Sequence, residues 1–383
     1  MKNIYLVFDQ LPSIKDGGLI STYIAFTKLY RKEYNIKIIS IFNHLDNDID
    51  EFKDLDIITF SNIVLDIRFY KCFDYLKKRK IKQFFFSIYS MIYFFLYVPI
   101  ARRKISKIII KDDIVIAVAP AAAIFIKKGI DFILEIHTSF EYFWGINPLG
   151  RFQTMLMTKP VVTLFRNKID AQKGNELFNS DYIYNFYDSL FPEPVYKIHE
   201  RRNKILFVGR LNEQKNPIRL LECAELLMNK KCNFQLDIYG DGPLRTKMVN
   251  EIKHRKLQDV VSLKGYVDDK SVYKNYSILW LTSKIEGFGL VIVEAKAMKT
   301  PTISCKWGKA VYEVIDNGND GYVVQNNEEL VEKTIELFNN EDKLRDLSEQ
   351  SYIHYLSDFG KDVYKKRYDA ILKKYFNKGD ELK

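Results

Sequence analysis

Short apolar blocks separated by amphipathic stretches run along most of this chain. IYLVF (4–8) is uninterrupted by a polar residue and reads as a buried strand. A loop carrying Gly17-Gly18 follows, then a helical pattern from Leu19 to Tyr30. IKIISIF (36–42) is a second strand, IIIKDDIVIAVA (108–119) contains another, and FILEIH (132–137), VVTLF (161–165) and YIYNF (182–186) continue the series. FPEPVYKIHERRNK (191–204) breaks the pattern with two prolines and mixed charge, as a linker does. The alternation then restarts. KILFVG (204–209) is a strand, NPIRLLECAELLMN (216–229) a helix with Pro217 in its first turn, and QLDIYG (235–240), VSLKGYV (261–267), ILWLTS (278–283), PTISC (301–305) and GYVV (321–324) are strands. From Glu328 onward the pattern is helical with a polar face.

Strands that are apolar throughout, alternating with helices, predict parallel sheets covered on both faces. The expected architecture is α/β: two facing, Rossmann-like, doubly wound domains. The first covers 1–190, 191–203 links it to a second at 204–360, and 361–383 forms a final helix. Ligands in such folds bind at the carboxyl ends of the strands, here in the crevice expected between the domains.

The length of 383 residues suits two domains, and the 47% apolar content is that of a packed globular protein. Short-period repeats are absent, which sets solenoids aside. The start, MKNIYLVFDQLP, lacks the long apolar run of a signal peptide. Cys72, Cys223, Cys232 and Cys305 show no CxxC spacing and read as small core residues in a reducing compartment, so a cytoplasmic location is expected.

Charge changes the picture at one place. The net charge is +10, and from Lys71 to Lys107 ten Lys or Arg stand against one acid, Asp74. Between those cations lies FFFSIYSMIYFFLYVPIA (84–101), 18 residues without a charge. That is short for a transmembrane helix, which needs roughly 20 apolar residues. Two readings stand: a core helix with solvated basic flanks, or a helix that docks on the membrane interface with its cations on anionic headgroups. Nucleic-acid binding is not expected, because the aromatics are contiguous rather than interleaved with the basic residues.

Three loops after strands carry candidate chemistry. Gly17-Gly18 opens a helix, which fits a plain turn or a close backbone approach to an anion; it is not a G-x-G-x-x-G dinucleotide fingerprint. Gly209-Arg210-Leu-Asn-Glu-Gln-Lys215-Asn216 places two cations after a strand and before a helix, where they could neutralise a diphosphate. EGFGLVIVEA (286–295) places Gly287 and Gly289 at the start of a helix expected over Leu290 to Met298. The N–H groups of Phe288, Gly289 and Leu290 are then free for a ligand. Glu286 precedes the helix, and Glu294, past its first turn, could accept from two adjacent ribose hydroxyls.

These motifs resemble those of the retaining GT-B glycosyltransferases of family 4. Glu286 and Glu294 match the family's E-x7-E motif, and Gly209, Arg210, Leu211, Lys215 and Asn216 match its G-R-L-x-x-x-K-N motif; IYGDGP (238–243) and GYV (265–267) stand at its usual strand ends. The resemblance implies that Arg210 and Lys215 hold the donor diphosphate, Glu294 the ribose, Glu286 and the following amides the donor sugar, and the backbone at Val267 the base. It also implies that Gly17-Gly18 approach the phosphate and reaction centre, that His137 stands near the donor sugar, that 1–190 binds the acceptor and 204–360 the nucleotide-sugar donor, and that 361–383 packs back on the first domain; Asn185 in YIYN stands where the family often has I-P-N, with Tyr184 in place of the proline. Lys299-Thr300-Pro301 and Trp307-Gly308-Lys309, before Glu313, depart from the family's glycines on the donor side.

The expected reaction is retaining transfer from a nucleotide diphosphate sugar, UDP-linked, to a glycan or lipid-linked acceptor in bacterial cell-surface polysaccharide synthesis (capsule, O-antigen or teichoic type). The protein is expected to be cytoplasmic and peripheral on the inner face of the membrane through 71–107. Glu286 and His137 are the candidate catalytic residues. Arg210, Lys215 and the helix dipole would stabilise the leaving diphosphate, so neither metal nor cofactor is expected. Asp46-x-Asp48 and Asp54-x-Asp56 resemble D-x-D but lie in a polar stretch without a glycine loop. Two alternatives are a sugar-nucleotide epimerase of the same architecture and a non-catalytic membrane-associated binding protein.

Overall fold

The computed structural model describes residues 1–11, 18–43, 52, 55–65, 72–146, 148–188, 201–267 and 269–376. Gly17, Asp46, Asp48, Asp54 and most of the expected linker, 191–200, lie outside the described residues. The chain divides into two compact units, Met1–Ile183 with Arg367–Lys383, and Tyr184–Lys366. The division falls between Ile183 and Tyr184, ahead of the proline-rich segment.

The first unit is built on a parallel sheet of seven strands: β1 (Asn3–Gln10), β2 (Asn35–Phe42), β3 (Asp56–Ser61), β4 (Ile114–Ala117), β5 (Ile133–Ile136), β6 (Val162–Phe165) and β7 (Ser180–Tyr182). Their order is β3-β2-β1-β4-β5-β6-β7. Registers such as Leu6↔Ile38 and Leu6↔Ile116 put apolar side chains in line across the sheet. Residues 4–9 of β1 are all buried, as a strand covered on both faces requires. Helices α1 (Gly18–Tyr30), α2 (Cys72–Lys77), α3 (Ile81–Ile108), α4 (Pro120–Ala123), α5 (Pro148–Leu156) and α6 (Lys168–Gly174) belong to this unit.

One strand expectation needs correction, and one strand is additional to those expected. YIYNF (182–186) was expected as a strand, but β7 ends at Tyr182; only Ile183 continues the pattern, donating its N–H to Phe165 O (2.8 Å). β3 is an additional edge strand whose exposed residues hide it from an apolar-run criterion.

The second unit holds a parallel sheet of six: β8 (Lys204–Val208), β9 (Gln235–Tyr239), β10 (Val261–Gly265), β11 (Ile278–Leu281), β12 (Thr302–Cys305) and β13 (Gly321–Val324), in the order β10-β9-β8-β11-β12-β13. Its helices are α7 (Pro217–Asn229), α8 (Arg245–His254), α9 (Leu290–Ala297), α10 (Val311–Val314), α11 (Asn327–Asn339) and α12 (Glu341–His354). α13 (Lys361–Phe376) closes the chain; from Arg367 on its residues group with the first unit, where Arg367 donates to Asp181 (2.8 Å) and stacks over the Tyr182 ring.

The strand order reverses in sequence between β1 and β4 in one sheet and between β8 and β11 in the other. Such reversals open the crevice in which doubly wound folds bind ligands. The core of the second unit is centred on Trp280 of β11, which is fully buried and donates Nε1–H to Thr334 Oγ1 (3.0 Å). Trp280→Ala removes that volume and leaves the Thr334 hydroxyl short of a partner. It is expected to lower unfolding free energy by about 3–5 kcal/mol, read from the denaturant midpoint.

Cys223 and Cys305 are buried, and burial pushes the Cys305 thiol up to about 11. Cys232 is partly exposed, and none of the three is in a disulfide.

α3 shows two faces. Ser87, Ser90, Phe94, Tyr97, Ala101 and Ile105 are buried at helical spacing, with Phe94 packed on Phe42 and Phe125. On the other face Ile81, Phe85, Tyr89, Ile92, Leu96 and Ile100 repeat at intervals of three or four, and all are exposed. By length and composition α3 is the one candidate membrane span among the described residues. One of its faces is nonetheless part of the unit's core, so it is both a core helix and a carrier of an uncovered apolar stripe.

Candidate active site

In the second unit the candidate residues converge at the reversal between β8 and β11. The loop after β8 begins at Gly209, whose N–H bonds Tyr239 O (3.0 Å), and Arg210 is exposed at its start. A neighbouring loop, 240–242, supports it from below. A side chain at Gly240 would place its Cβ 1.9 Å from Gly209 O, and φ there is +140°, so only glycine lets the two backbones meet. This explains the GDG of IYGDGP.

Lys215 ends the loop with its stem against Gly209; a Cβ there would lie 3.6 Å from Lys215 Cδ. Its backbone is fixed by Asn212 Oδ1 (3.0 Å) and by Thr282 Oγ1, which donates to Lys215 O (3.2 Å). Lys284 N donates to Gln214 O (2.8 Å), so the loops after β8 and β11 are joined along their length. The result is a direct ion pair: Lys215 Nζ donates to Glu286 Oε1 at 2.6 Å. Ser283 Oγ donates to the same carboxylate oxygen. Glu286 is 6% exposed.

α9 starts directly after. Gly289 has φ +83°, a left-handed conformation that suits glycine, and its carbonyl accepts from Ile292 N (2.8 Å). The first amides of a helix have no intrahelical acceptor, so this end favours an anion. Glu294, one turn in and buried, accepts from Tyr273 Oη (2.5 Å) and is 3.4 Å from Lys270 Nζ. Burial and the Glu294 charge push the Tyr273 phenol up, so it stays protonated and donates. The far end of α9 is anchored by buried Lys296, which donates to Asp320 (2.6 Å). Phe288 is buried and stacks on Tyr184 (5.7 Å), whose hydroxyl donates to Glu313 (2.9 Å). Gly287 is partly exposed beside Glu286, and Leu290 is partly exposed at the helix start. Val267 lies just beyond β10 and packs on the cluster of Leu206, Tyr273 and Ala295 beneath α9. Asn185 is buried, and its Oδ1 has no partner among the described residues.

In the first unit Gly18 opens α1 and is exposed, and Thr22 Oγ1 donates to its carbonyl (2.8 Å). His137 follows β5 and joins a buried polar cluster that sequence reasoning missed. Arg166 Nη2 donates to Glu135 Oε2 and lies 2.9 Å from His137 Nε2. Tyr23 Oη lies 2.5 Å from Glu135 Oε2 and 2.9 Å from His137 Nε2. Tyr368 Oη donates to Glu135 Oε1 (2.8 Å). Burial pushes the Glu135 carboxyl up, but Arg166, His137 and Tyr23 more than reverse this and hold it well below the usual range. Burial, then the Arg166 charge, push His137 down to about 4. The signal for the cluster was a charged residue inside an apolar strand, Glu135 in ILEI, and another, Arg166, directly after VTLF.

Asp56, the described member of the D-x-D-like pairs, begins edge strand β3 with its side chain 73% exposed, 4.0 Å from Lys37.

Residues 192–354 match the family model of the glycosyl transferases group 1. The segment belongs to that family. The group 1 segment contains the Lys215–Glu286 pair and α9 with Glu294. The chain is similar to the poly(glycerol-phosphate) alpha-glucosyltransferase of Bacillus subtilis, 31% identical over 163 residues, or 41% of this chain and 24% of that protein. It is also similar to the GalNAc-alpha-(1->4)-GalNAc-alpha-(1->3)-diNAcBac-PP-undecaprenol alpha-1,4-N-acetyl-D-galactosaminyltransferase of Campylobacter jejuni, 32% identical over 149 residues, 38% of this chain and 41% of that one. The match thus spans less than half the length of either relative. Among solved structures, a mutant of S. aureus TarM in complex with fondaparinux, alpha-GlcNAc-glycerol and UDP superposes with a TM-score of 0.75 at 15% identity, covering 97% of this chain and 99% of that one. That likeness shows the fold, which is GT-B.

Proposed function

We propose that this protein is a retaining glycosyltransferase of family 4 that moves a sugar from a UDP-linked donor to a glycan or lipid-linked acceptor in bacterial cell-surface polymer synthesis. The observation that carries the reading is the Lys215–Glu286 ion pair at the N-terminus of α9, with Glu294 buried one turn further on the same helix. Cation, amide dipole and carboxylates then line up with the diphosphate, sugar and ribose of one donor. Arg210 and Lys215 neutralise the leaving diphosphate as the anomeric bond breaks, and Glu286 holds the sugar hydroxyls. The reading draws support from relatives that are named for polymer and undecaprenol-linked acceptors and from a structural neighbour bound to UDP. Titration calorimetry with UDP, followed by a hydrolysis screen over UDP-linked hexoses and N-acetylhexosamines, tests it. Binding of UDP with slow hydrolysis of one donor is expected; no affinity for any nucleotide would overturn the reading.

The same proposal places the protein at the cytoplasmic face of the membrane. The exposed stripe of α3 from Ile81 to Ile100 is about 30 Å long at 1.5 Å per residue. Lys82 stands at one end, and Arg103 and Lys107 at the other. α5 extends the apolar surface: Phe152 packs edge-on against Phe95 at 5.7 Å, and Phe152, Met155 and Leu156 are exposed. An apolar stripe bounded by cations fits an anionic bilayer surface, with α3 lying in its plane. The triple variant Phe85→Ser, Ile92→Ser, Leu96→Ser touches only exposed positions and so keeps the fold. It is expected to lose at least ten-fold in affinity for vesicles containing phosphatidylglycerol, measured by flotation. Unchanged binding, or self-association through the stripe in light scattering, would sink the docking assignment.

A further inference from the structure

His137 is the member of the first unit's cluster with a side chain reaching the surface, at 15% exposure, while the Glu135 and Arg166 side chains are 1% exposed. The hydrogen-bond geometry decides which of its nitrogens carries a proton. A guanidinium has only N–H groups to offer and no acceptor. The 2.9 Å contact between Arg166 Nη2 and His137 Nε2 is therefore a hydrogen bond only if Nε2 presents its lone pair. Two N–H groups facing each other at that distance would repel. The Tyr23 hydroxyl, 2.9 Å from the same nitrogen, has one proton, which it gives either to Nε2 or to Glu135. When it goes to Glu135, the Tyr23 oxygen and Glu135 Oε2 (3.5 Å) both face Nε2 as acceptors, but a proton on Nε2 would then meet the Arg166 N–H at 2.9 Å, and it is this contact that selects the lone pair. The remaining proton of the neutral ring then sits on Nδ1, which has no partner among the described residues and is not among the buried unpartnered atoms.

We propose that Arg166, Glu135 and Tyr23 are positioning residues that hold His137 as the neutral Nδ1–H tautomer, so that it acts as a hydrogen-bond donor to an oxygen of the bound substrate and not as a general base or acid. Each partner has a distinct task. Arg166 occupies Nε2 and sets the tautomer. Glu135 neutralises Arg166 and shares its Nη2 group, which fixes the guanidinium in the plane that meets the imidazole. Tyr23 from α1 and Tyr368 from α13 complete the carboxylate's acceptor sites, one on each oxygen. Among the described residues these four are the titratable groups bonded to His137 or its carboxylate, from β5, the segment after β6, α1 and α13. The Arg166 charge also opposes a second proton on the ring, in accord with the depressed titration of His137. The result is a donor that keeps one orientation and one charge state over a wide pH range. Its role toward substrate rests on the reading of His137 as a reaction-centre residue given above.

The test uses the full chain with 15N-labelled histidine, whose five residues include His137, assigned by the loss of its signals in His137→Gln. Long-range 1H–15N correlation is expected to show His137 protonated on Nδ1 and unprotonated on Nε2, with no titration between about pH 5 and 8. A proton on Nε2, or a midpoint near the ordinary value of about 6.5, would overturn the lock. The double variant Glu135→Gln, Arg166→Met removes both charges together and so leaves no lone buried ion. In it the His137 midpoint is expected to move up toward the ordinary range. Its turnover is expected to fall at least ten-fold between pH 8 and pH 5.5, while the wild-type profile stays within about three-fold. Matching profiles in the two proteins would remove the positioning role. If the wild type turns over no nucleotide sugar, the proposed function fails, and the tautomer measurement still decides the lock.

Discussion

Glu286→Ala is expected to abolish measurable transfer, with a loss of at least 10²–10³ in turnover, while the protein stays folded. Glu286 is buried and holds a single arrangement through Lys215 Nζ and Ser283 Oγ. In the proposed reaction its carboxylate accepts from sugar hydroxyls, and its loss leaves the anomeric carbon free to drift from the line of attack. Small misplacements of this kind cost about two orders of magnitude. The fold survives because Lys215, the partner left behind, has 18% of its side chain exposed and turns its ammonium to water. Glu286→Gln separates charge from shape: it accepts through one oxygen and is expected to retain a few per cent of activity. Donor hydrolysis and transfer within three-fold of wild type in Glu286→Ala would show that the residue holds the loop and not the substrate.

Lys215→Ala has the second large effect, and its origin is different. The substitution removes a cation that, on the proposed reading, meets the leaving diphosphate as negative charge develops. It also strands the Glu286 carboxylate, whose side chain is 8% exposed, without its ion-pair partner. Both consequences are expected: UDP affinity falls at least ten-fold, and stability drops by about 1–3 kcal/mol because a buried acceptor has lost its donor. The double variant Lys215→Met, Glu286→Gln removes both charges together. It is expected to regain most of the stability and none of the turnover. If the double variant recovered turnover, the ion pair would be a structural strut, and leaving-group stabilisation would have to come from elsewhere. A calorimetric titration of UDP beside a thermal melt of each variant separates these outcomes.

The two acids of EGFGLVIVEA show how far the chain could be read directly. Their spacing, the glycines and the strand before them were enough to predict a helix start with a carboxylate on each side, and α9 begins at Leu290 with Gly289 left-handed before it. Of the apolar residues between them Phe288, Ile292 and Val293 are buried while Leu290 and Val291 are partly exposed, and Lys296 near the end of the helix is buried as well. That last point was not legible, since a lysine in a helix ordinarily reads as solvated; its partner Asp320 lies 24 residues on, beyond β12. The segment 84–101 was read as either core or docking surface. The structure divides the two readings between opposite faces of one helix: no charged residue marks the outward side, and the segment's two serines, Ser87 and Ser90, face inward.

The sequence by itself determined the α/β class, the parallel strands and the glycine-flanked loops, because these follow from contacts within a few residues: a strand buried on both faces must be apolar throughout, and a turn with positive φ favours glycine. Only the tertiary structure decided which charged groups meet. Lys215 and Glu286 are 71 positions apart and are joined because β8 and β11 are neighbours in the sheet. Glu135 and Tyr368 are 233 apart and are joined because the last helix returns to the first unit. Periodicity records how deeply a residue is buried, while the choice of partner depends on strand order, which no local pattern encodes.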